Sequence, residues 1–317
     1  MKKKMIRYGW IPIILLLFLL KLVSFSNKPN FFLGGNLHVT KNDLNQTISQ
    51  RKTRSCERFF RPSNQPILNT YELNSIINDY EDNSKSNKFT LKKELFLNPK
   101  EMILSYYSIL REAYTLEKGF NAGCGSLGYG STPYLITYQF LDKSYQKKIS
   151  YKQYHKSFQN ILHINLLKLI LVEEKNSLQH YFIELETIEG TRNDAGGFQY
   201  YYGYITVKEE NKSYKITGIK LFPEVYLCAP YHGWSYSAEE VTDIEYRQWC
   251  HLVKEQYPTV INDQIKTIEF KTYKNELYVL KFVILSNDTD ILIGQYRKDI
   301  YGNLIKIKID PNKCINP

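Results

Sequence analysis

This sequence contains no Gly-x-Ser-x-Gly elbow, no Cys-x-x-Cys pair and no glycine-rich run ending in Gly-Lys-Ser/Thr. The first absence removes the strand-turn-helix serine nucleophile of hydrolases. The second removes the commonest zinc and redox spacings, and no cysteine sits at metal-ligand spacing from a histidine either. The third removes the P-loop manner of cradling phosphates: the run Gly123-Cys124-Gly125-Ser126-Leu127-Gly128-Tyr129-Gly130 lacks both the lysine and a preceding strand, and reads as a plain loop. Also missing is any stripe of Lys and Arg interleaved with aromatics. The net charge of +10 is half accounted for by residues 1–26, where Lys2, Lys3, Lys4, Arg7 and Lys21 meet no acid; the other 37 basic and 32 acidic residues leave +5, scattered. No nucleic-acid partner is expected on that distribution, only a weak attraction to anionic cell surfaces. No cofactor or metal site is expected.

What remains is a chain of 317 residues, long enough for two ordinary domains. At 43% hydrophobic and 23% charged it is globular rather than disordered or polytopic. Twenty-seven tyrosines raise the aromatic share to 15%, so large amphipathic rings are available to build a core.

The start of the chain reads as an export signal. A basic run, Met1–Arg7, precedes eleven apolar residues from Trp10 to Leu20, and Ser24-Phe25-Ser26 offers a small-x-small cleavage pattern. Against cleavage, Tyr8–Phe25 reaches the minimum length of a membrane span, and Lys21 is able to snorkel to the interface. The preferred reading is a retained single-pass anchor with the C-terminal part outside; secretion is the alternative. Five cysteines suit an oxidising compartment. Cys228 and Cys250 flank a loop and a helix, and closing that loop would stabilise by roughly 3 kcal/mol on the chain-entropy relation.

Residues 27–97 are rich in Asn, Lys, Ser and Thr, include the basic run 51–54, and read as a partly disordered tether. One amphipathic helix is predicted inside it from Leu73, Ile76, Ile77 and Tyr80. Asn98-Pro99 then opens a helix that Gly119 stops. Thr132-Pro133 opens a second, running to Tyr145, and Ser150 with Gln153 caps a third. Four strands follow near 163–173, 179–190, 198–208 and 213–222. After an aromatic connector, 223–236, a helix is predicted from Ser237 to Tyr257, then four more strands near 265–273, 276–286, 289–298 and 304–309. The fold class is α+β, with three helices on one concave face of a curved antiparallel sheet and a second, smaller helix-and-meander unit over 223–317.

Residues 98–222 resemble an NTF2-like domain, the cone-shaped α+β fold. The resemblance rests on Asn98-Pro99 with its Tyr-rich helix, on Tyr134–Leu141 as the second helix, and on Ser150-Tyr151, Tyr154 and Ser157-Phe158 as the third. It is similar to the variant seen in N-terminal regions of penicillin-binding proteins and in membrane-anchored conjugation proteins of Gram-positive bacteria. The resemblance implies work outside the membrane, with a cell-envelope protein or a cell-wall component as partner. It departs from many members at Asp142–Ile149, too short for the hairpin they place there.

Glu184 and Glu186 alternate on one strand and share a face. Paired carboxylates suit general acid–base work or a cation, while a solvated outer face is the favoured alternative. Tyr200, Tyr202 and Tyr204 line one face of the next strand, either as a stacking surface for a ligand or as filling for the cone, which is preferred. His163 and His232 lack an acidic dyad partner in the sequence and read as structural. Tyr231, Trp234 and Tyr236, with His232 among them, form either an interface patch or the seam between the two units, the seam being preferred. Two functions follow: a non-catalytic envelope interaction protein, preferred, or a secreted or surface enzyme or small-ligand binder using a pocket of Glu184, Glu186, Tyr200 and Tyr202.

Overall fold

The computed structural model describes residues 31–38, 61, 63, 65, 70–84, 90–121, 128–192, 196–224 and 230–315. The apolar segment 1–26, the basic run 51–54, Cys56, Cys124, Cys228 and most of the glycine-rich loop lie outside them. Among the described residues no helix is long and apolar enough to cross a membrane.

The chain is α+β. Its first described elements, β1 (Phe31–Phe32) and β2 (Gly35–Leu37), are followed by α1 (Thr70–Ser84), which buries Leu73, Ile76 and Ile77 as its apolar spacing requires. The stretch read as a tether is therefore partly built into the fold: Leu33 is fully buried, and β2 pairs in parallel with a later strand through Asn36↔Lys220 and Leu37↔Leu221.

α2 (Pro99–Arg111) begins where expected. The Asn98 side chain accepts the N–H groups of Lys100 and Glu101, and Pro99 fills the first turn. It stops before Gly119, because the N–H groups of Tyr114 and Thr115 leave the helix to donate to the carbonyls of Gly130 and Ile161. The expected helix over 132–145 is broken in two. α3 (Thr132–Thr137) runs into a 3-10 turn ending at Phe140, and α4 (Lys143–Lys148) starts anew because Asp142 accepts the Tyr145 N–H at 2.6 Å. α5 (Tyr151–Lys156) carries the complete Ser150–Gln153 capping box.

The four long strands β3 (Ile161–Lys175), β4 (Leu178–Glu189), β5 (Gly197–Glu210) and β6 (Ser213–Pro223) pair antiparallel and, with β1 and β2, form a six-stranded sheet in the order β1-β2-β6-β5-β4-β3. Two of its hairpins turn on Asn176-Ser177 and Asn211-Lys212, each pair at positive φ as a primed two-residue turn demands. Period-2 alternation separates the faces. Tyr181, Ile183, Leu185, Tyr201, Ile205 and Val207 join the helices in the main core, while Phe182, Tyr202 and Tyr204 point the other way. Gly203 sits where a Cβ would run into the Lys220 carbonyl, so β5 and β6 depend on that glycine for their spacing.

In the C-terminal half, α6 (Ala238–Val241) continues as a π-helical segment, Thr242–Trp249. The predicted helix to Tyr257 ends early, with the Cys250 N–H reaching back to Glu245 and His251 at positive φ. Val253–Gln256 is β7 instead, paired with β9 (Ile265–Thr272). With β8 (Val260–Asn262), β10 (Leu277–Ile284), β11 (Asp290–Lys298) and β12 (Leu304–Lys306) it builds a second antiparallel sheet. Here too the faces split. Ile268, Phe270, Leu280 and Phe282 pack under α6 and Tyr246, whereas Val283 and Leu285 pack on Phe182 of the first sheet. The result is four layers: helices, sheet, sheet, helix. Trp234 belongs to the outer cluster of this half, edge-on to Trp249 at 5.5 Å, and not to the seam between the sheets.

Cys250 is disulfide-bonded to Cys314, 64 residues on, so its expected pairing with Cys228 is corrected. After β12 the chain runs back along β11, with the Ile307 N–H on the Gln295 carbonyl and Ile309 packed in the outer cluster. That path delivers α7 (Asn312–Ile315) and its Cys314 to Cys250.

Candidate functional site

The seam between the two sheets holds a buried polar cluster in an otherwise apolar layer. Glu184 and Glu186 of β4 are both 0% exposed. They are therefore not on a solvated face, and they are not on the helix-covered side either: their face is the one the C-terminal sheet covers. Arg61 lies over them. Its backbone N–H donates to Glu186 Oε2 at 2.8 Å, and its Nη1 donates to Glu224 Oε2 at 2.7 Å, to Ser286 Oγ at 3.2 Å and to Glu184 Oε1 at 3.5 Å. The Ser286 N–H, in the β10–β11 turn, donates to both Glu184 oxygens at 3.0 Å, and the Ser286 hydroxyl closes a short bond to the same carboxylate. Asn165 of β3 reaches Glu186 Oε1 at 3.5 Å. The Arg61 guanidinium stacks on the Tyr200 ring, its carbon 3.4 Å from the centroid. Three distant parts of the chain, near 61, along β4 and β6, and at 286, are thus clasped at one point.

One guanidinium faces three carboxyl groups, so burying all three as anions would leave two negative charges uncompensated. Glu224 relieves this. Burial and the nearby Glu184 push its pKa up to about 8 against the pull of Arg61. Glu186 is raised too, mainly by burial, with the Arg61 N–H, Asn165 and Tyr200 opposing. A carboxyl group that holds its proton in the fold and loses it when unfolded stabilises at low pH. That stability falls as pH rises from the ordinary carboxylate value of 4.5 through about 8. Urea midpoints measured from pH 5 to 9 are therefore expected to decline, and Glu224→Gln, which keeps the shape without the charge, is expected to remove most of the slope. An unchanged slope in Glu224→Gln would place the titration elsewhere.

The structure brings Glu184, Glu186 and Tyr200 together as the sequence suggested, but as an internal clasp. Tyr202 and Tyr204 do not fill the concave side: they pack in the seam with Phe182, whose ring stacks on Tyr202 at 6.1 Å and meets Tyr204 edge-on at 5.7 Å. The helix-covered side is filled by Tyr106, Tyr107, Tyr134, Tyr145 and Tyr154 from the helices, where Tyr106 and Tyr154 share a 3.0 Å hydrogen bond. His163 is half-buried near the start of β3, and desolvation with the nearby Arg111 lowers its pKa to about 4, so it is a neutral side chain at physiological pH. His232 falls in the 3-10 turn Pro230–Tyr236. The described residues contain no group of three or more His, Cys, Asp or Glu arranged to hold a metal ion. Arg61, Glu224, Ser286 and Asn165 were missed by sequence reasoning. Each is an ordinary polar residue whose partner is 21 to 225 positions away, and only the fold supplies that pairing.

Set against known protein families, curated proteins and solved structures, the chain matches none of them.

Proposed function

We propose that this chain is a membrane-anchored, non-catalytic interaction protein of the bacterial cell envelope, with its folded part outside the membrane. The observation that carries the reading is the Cys250–Cys314 disulfide, a bond that persists in oxidising compartments and is rare in the cytosol. The basic-then-apolar pattern of residues 1–26 supports the same address. The NTF2-like resemblance of residues 98–222 is supported by short helices packed on one face of a long antiparallel sheet. It points toward a trans-envelope apparatus or wall synthesis, with an envelope protein or a wall component as partner. The carboxylates that an enzymatic reading would need are engaged with Arg61 and Ser286 beneath a second sheet, which favours a structural use.

Cell fractionation, protease shaving of intact cells and N-terminal sequencing test the proposal. The expected product keeps its N-terminus, sediments with membranes and is cleaved from outside beyond residue 98. A soluble product starting near Asn27 would replace the anchored reading with secretion, and a cytosolic chain with free Cys250 and Cys314 would overturn both.

A further inference from the structure

α4 and α5 carry Lys143, Lys147, Lys148, Lys152 and Lys156, all exposed, and no acidic residue occurs from 143 to 172. None of the five forms an ion pair among the described residues. Asp142, which precedes α4, is occupied in capping it through the Tyr145 N–H and the Ser144 hydroxyl. Lys143 and Lys147 are four apart on α4, and Lys152 and Lys156 four apart on α5, so each helix turns a pair outward while Tyr145, Ile149, Tyr154 and Phe158 hold the other side in the core. On one flank α1 comes near, with Tyr80 beside Tyr151, so the acidic end of that helix (Asp79, Glu81 and Asp82) borders the patch.

The position of this face matters as much as its charge. The loop between β1 and β2 is fastened to these two helices: the Leu33 N–H donates to the Ser157 carbonyl at 3.1 Å, the Gly34 N–H to Ser157 Oγ at 2.9 Å, and the Tyr145 hydroxyl to the Gly34 carbonyl at 3.1 Å. β1 starts at Phe31, and the segment of span length ends at Phe25. Six residue steps extend at most about 21 Å, so a chain held in a bilayer through residues 8–25 keeps the lysine face close to the headgroups.

We propose that the face formed by Lys143, Lys147, Lys148, Lys152 and Lys156 docks on an anionic phospholipid surface and fixes how the folded part stands on the membrane. The inference rests on the anchored reading above. Each lysine within a Debye length of an anionic bilayer, about 8 Å at physiological salt, is attracted to it. Five on one rigid face set an orientation that a single flexible anchor leaves free.

The test uses the full-length chain reconstituted into vesicles of phosphatidylcholine alone or mixed with phosphatidylglycerol. Lysines are acylated with a membrane-impermeant reagent and quantified by peptide mass spectrometry, with exposed Lys254 and Lys274 as internal references. The expected result is labelling of the five lysines slowed about fivefold in the phosphatidylglycerol vesicles only, the effect vanishing in 1 M salt, where the Debye length is about 3 Å. In the variant combining Lys147→Gln, Lys148→Gln and Lys152→Gln, Lys143 and Lys156 are expected to lose their protection. Equal labelling in both vesicle types, with the chain floating in both, overturns the docking and leaves the anchor intact. Failure to float with either overturns the anchor and the docking together. Protection by soluble polyglycerol phosphate, without protection by phosphatidylglycerol, assigns the face to a wall polymer and overturns the lipid proposal.

Discussion

Replacing Arg61 by alanine is expected to lower the unfolding free energy by about 3–5 kcal/mol, the cost of removing one partner from a buried ion pair. The guanidinium is the cation that Glu184 and Glu224 face, and its backbone N–H holds Glu186. Its loss leaves buried carboxyl groups under a sheet without their counter-charge. Arg61→Lys is not a mild change: an ammonium cannot cover both carboxylates and stack flat on Tyr200. The measurement is chemical denaturation of Arg61→Ala, Glu224→Gln and the double variant. In the double-mutant cycle, run at pH 9 where Glu224 is ionised, the Arg61→Ala penalty is expected to shrink when Gln replaces Glu224. Strict additivity would mean that the two residues do not act as a pair.

The second large effect is expected from Cys250→Ser or Cys314→Ser. Opening a loop of 64 residues restores denatured-chain entropy corresponding to about 4 kcal/mol at 25 °C. Because Cys314 lies beyond β12, the loss falls on the C-terminal sheet, whose helix cover is short and partly π-helical. Comparing oxidised and reduced protein with the Cys314→Ser variant by thermal unfolding separates the crosslink from the substitution. The variant and the reduced protein are expected to unfold together, well below the oxidised form. Coincidence of all three would show that the crosslink adds nothing to stability.

Much of the architecture was legible from residue order. Strands β3 to β6 announce themselves through β-branched and aromatic runs separated by polar turns, and the Asn98 and Ser150 caps fix two helix starts because their hydrogen bonds are local. Legibility ends where partners are remote. Alternation puts Glu184 and Glu186 on the same face but does not say which layer that face meets. The polarity of two carboxylates argues for water, and only Arg61, from a stretch that reads as linker, reverses the argument. Val253–Gln256 was absorbed into a helix because nothing local marks the break that Cys250 and His251 make. β1 and β2 were missed because five residues carry no periodicity of their own and gain their order from Lys220 and Leu221.

That last pairing governs the order in which the chain assembles. β2 leaves the ribosome well before its partner strand, which lies 184 positions downstream, from Asn36 to Lys220. Contacts of such separation are slow to form, because the intervening chain must be gathered before they give anything back. Until β6 is made, the β2 edge of the β1–β2 hairpin therefore lacks its partner. Fragments ending before residue 220 are expected to leave that strand exposed, open to degradation and aggregation, while chains only slightly longer can close the sheet.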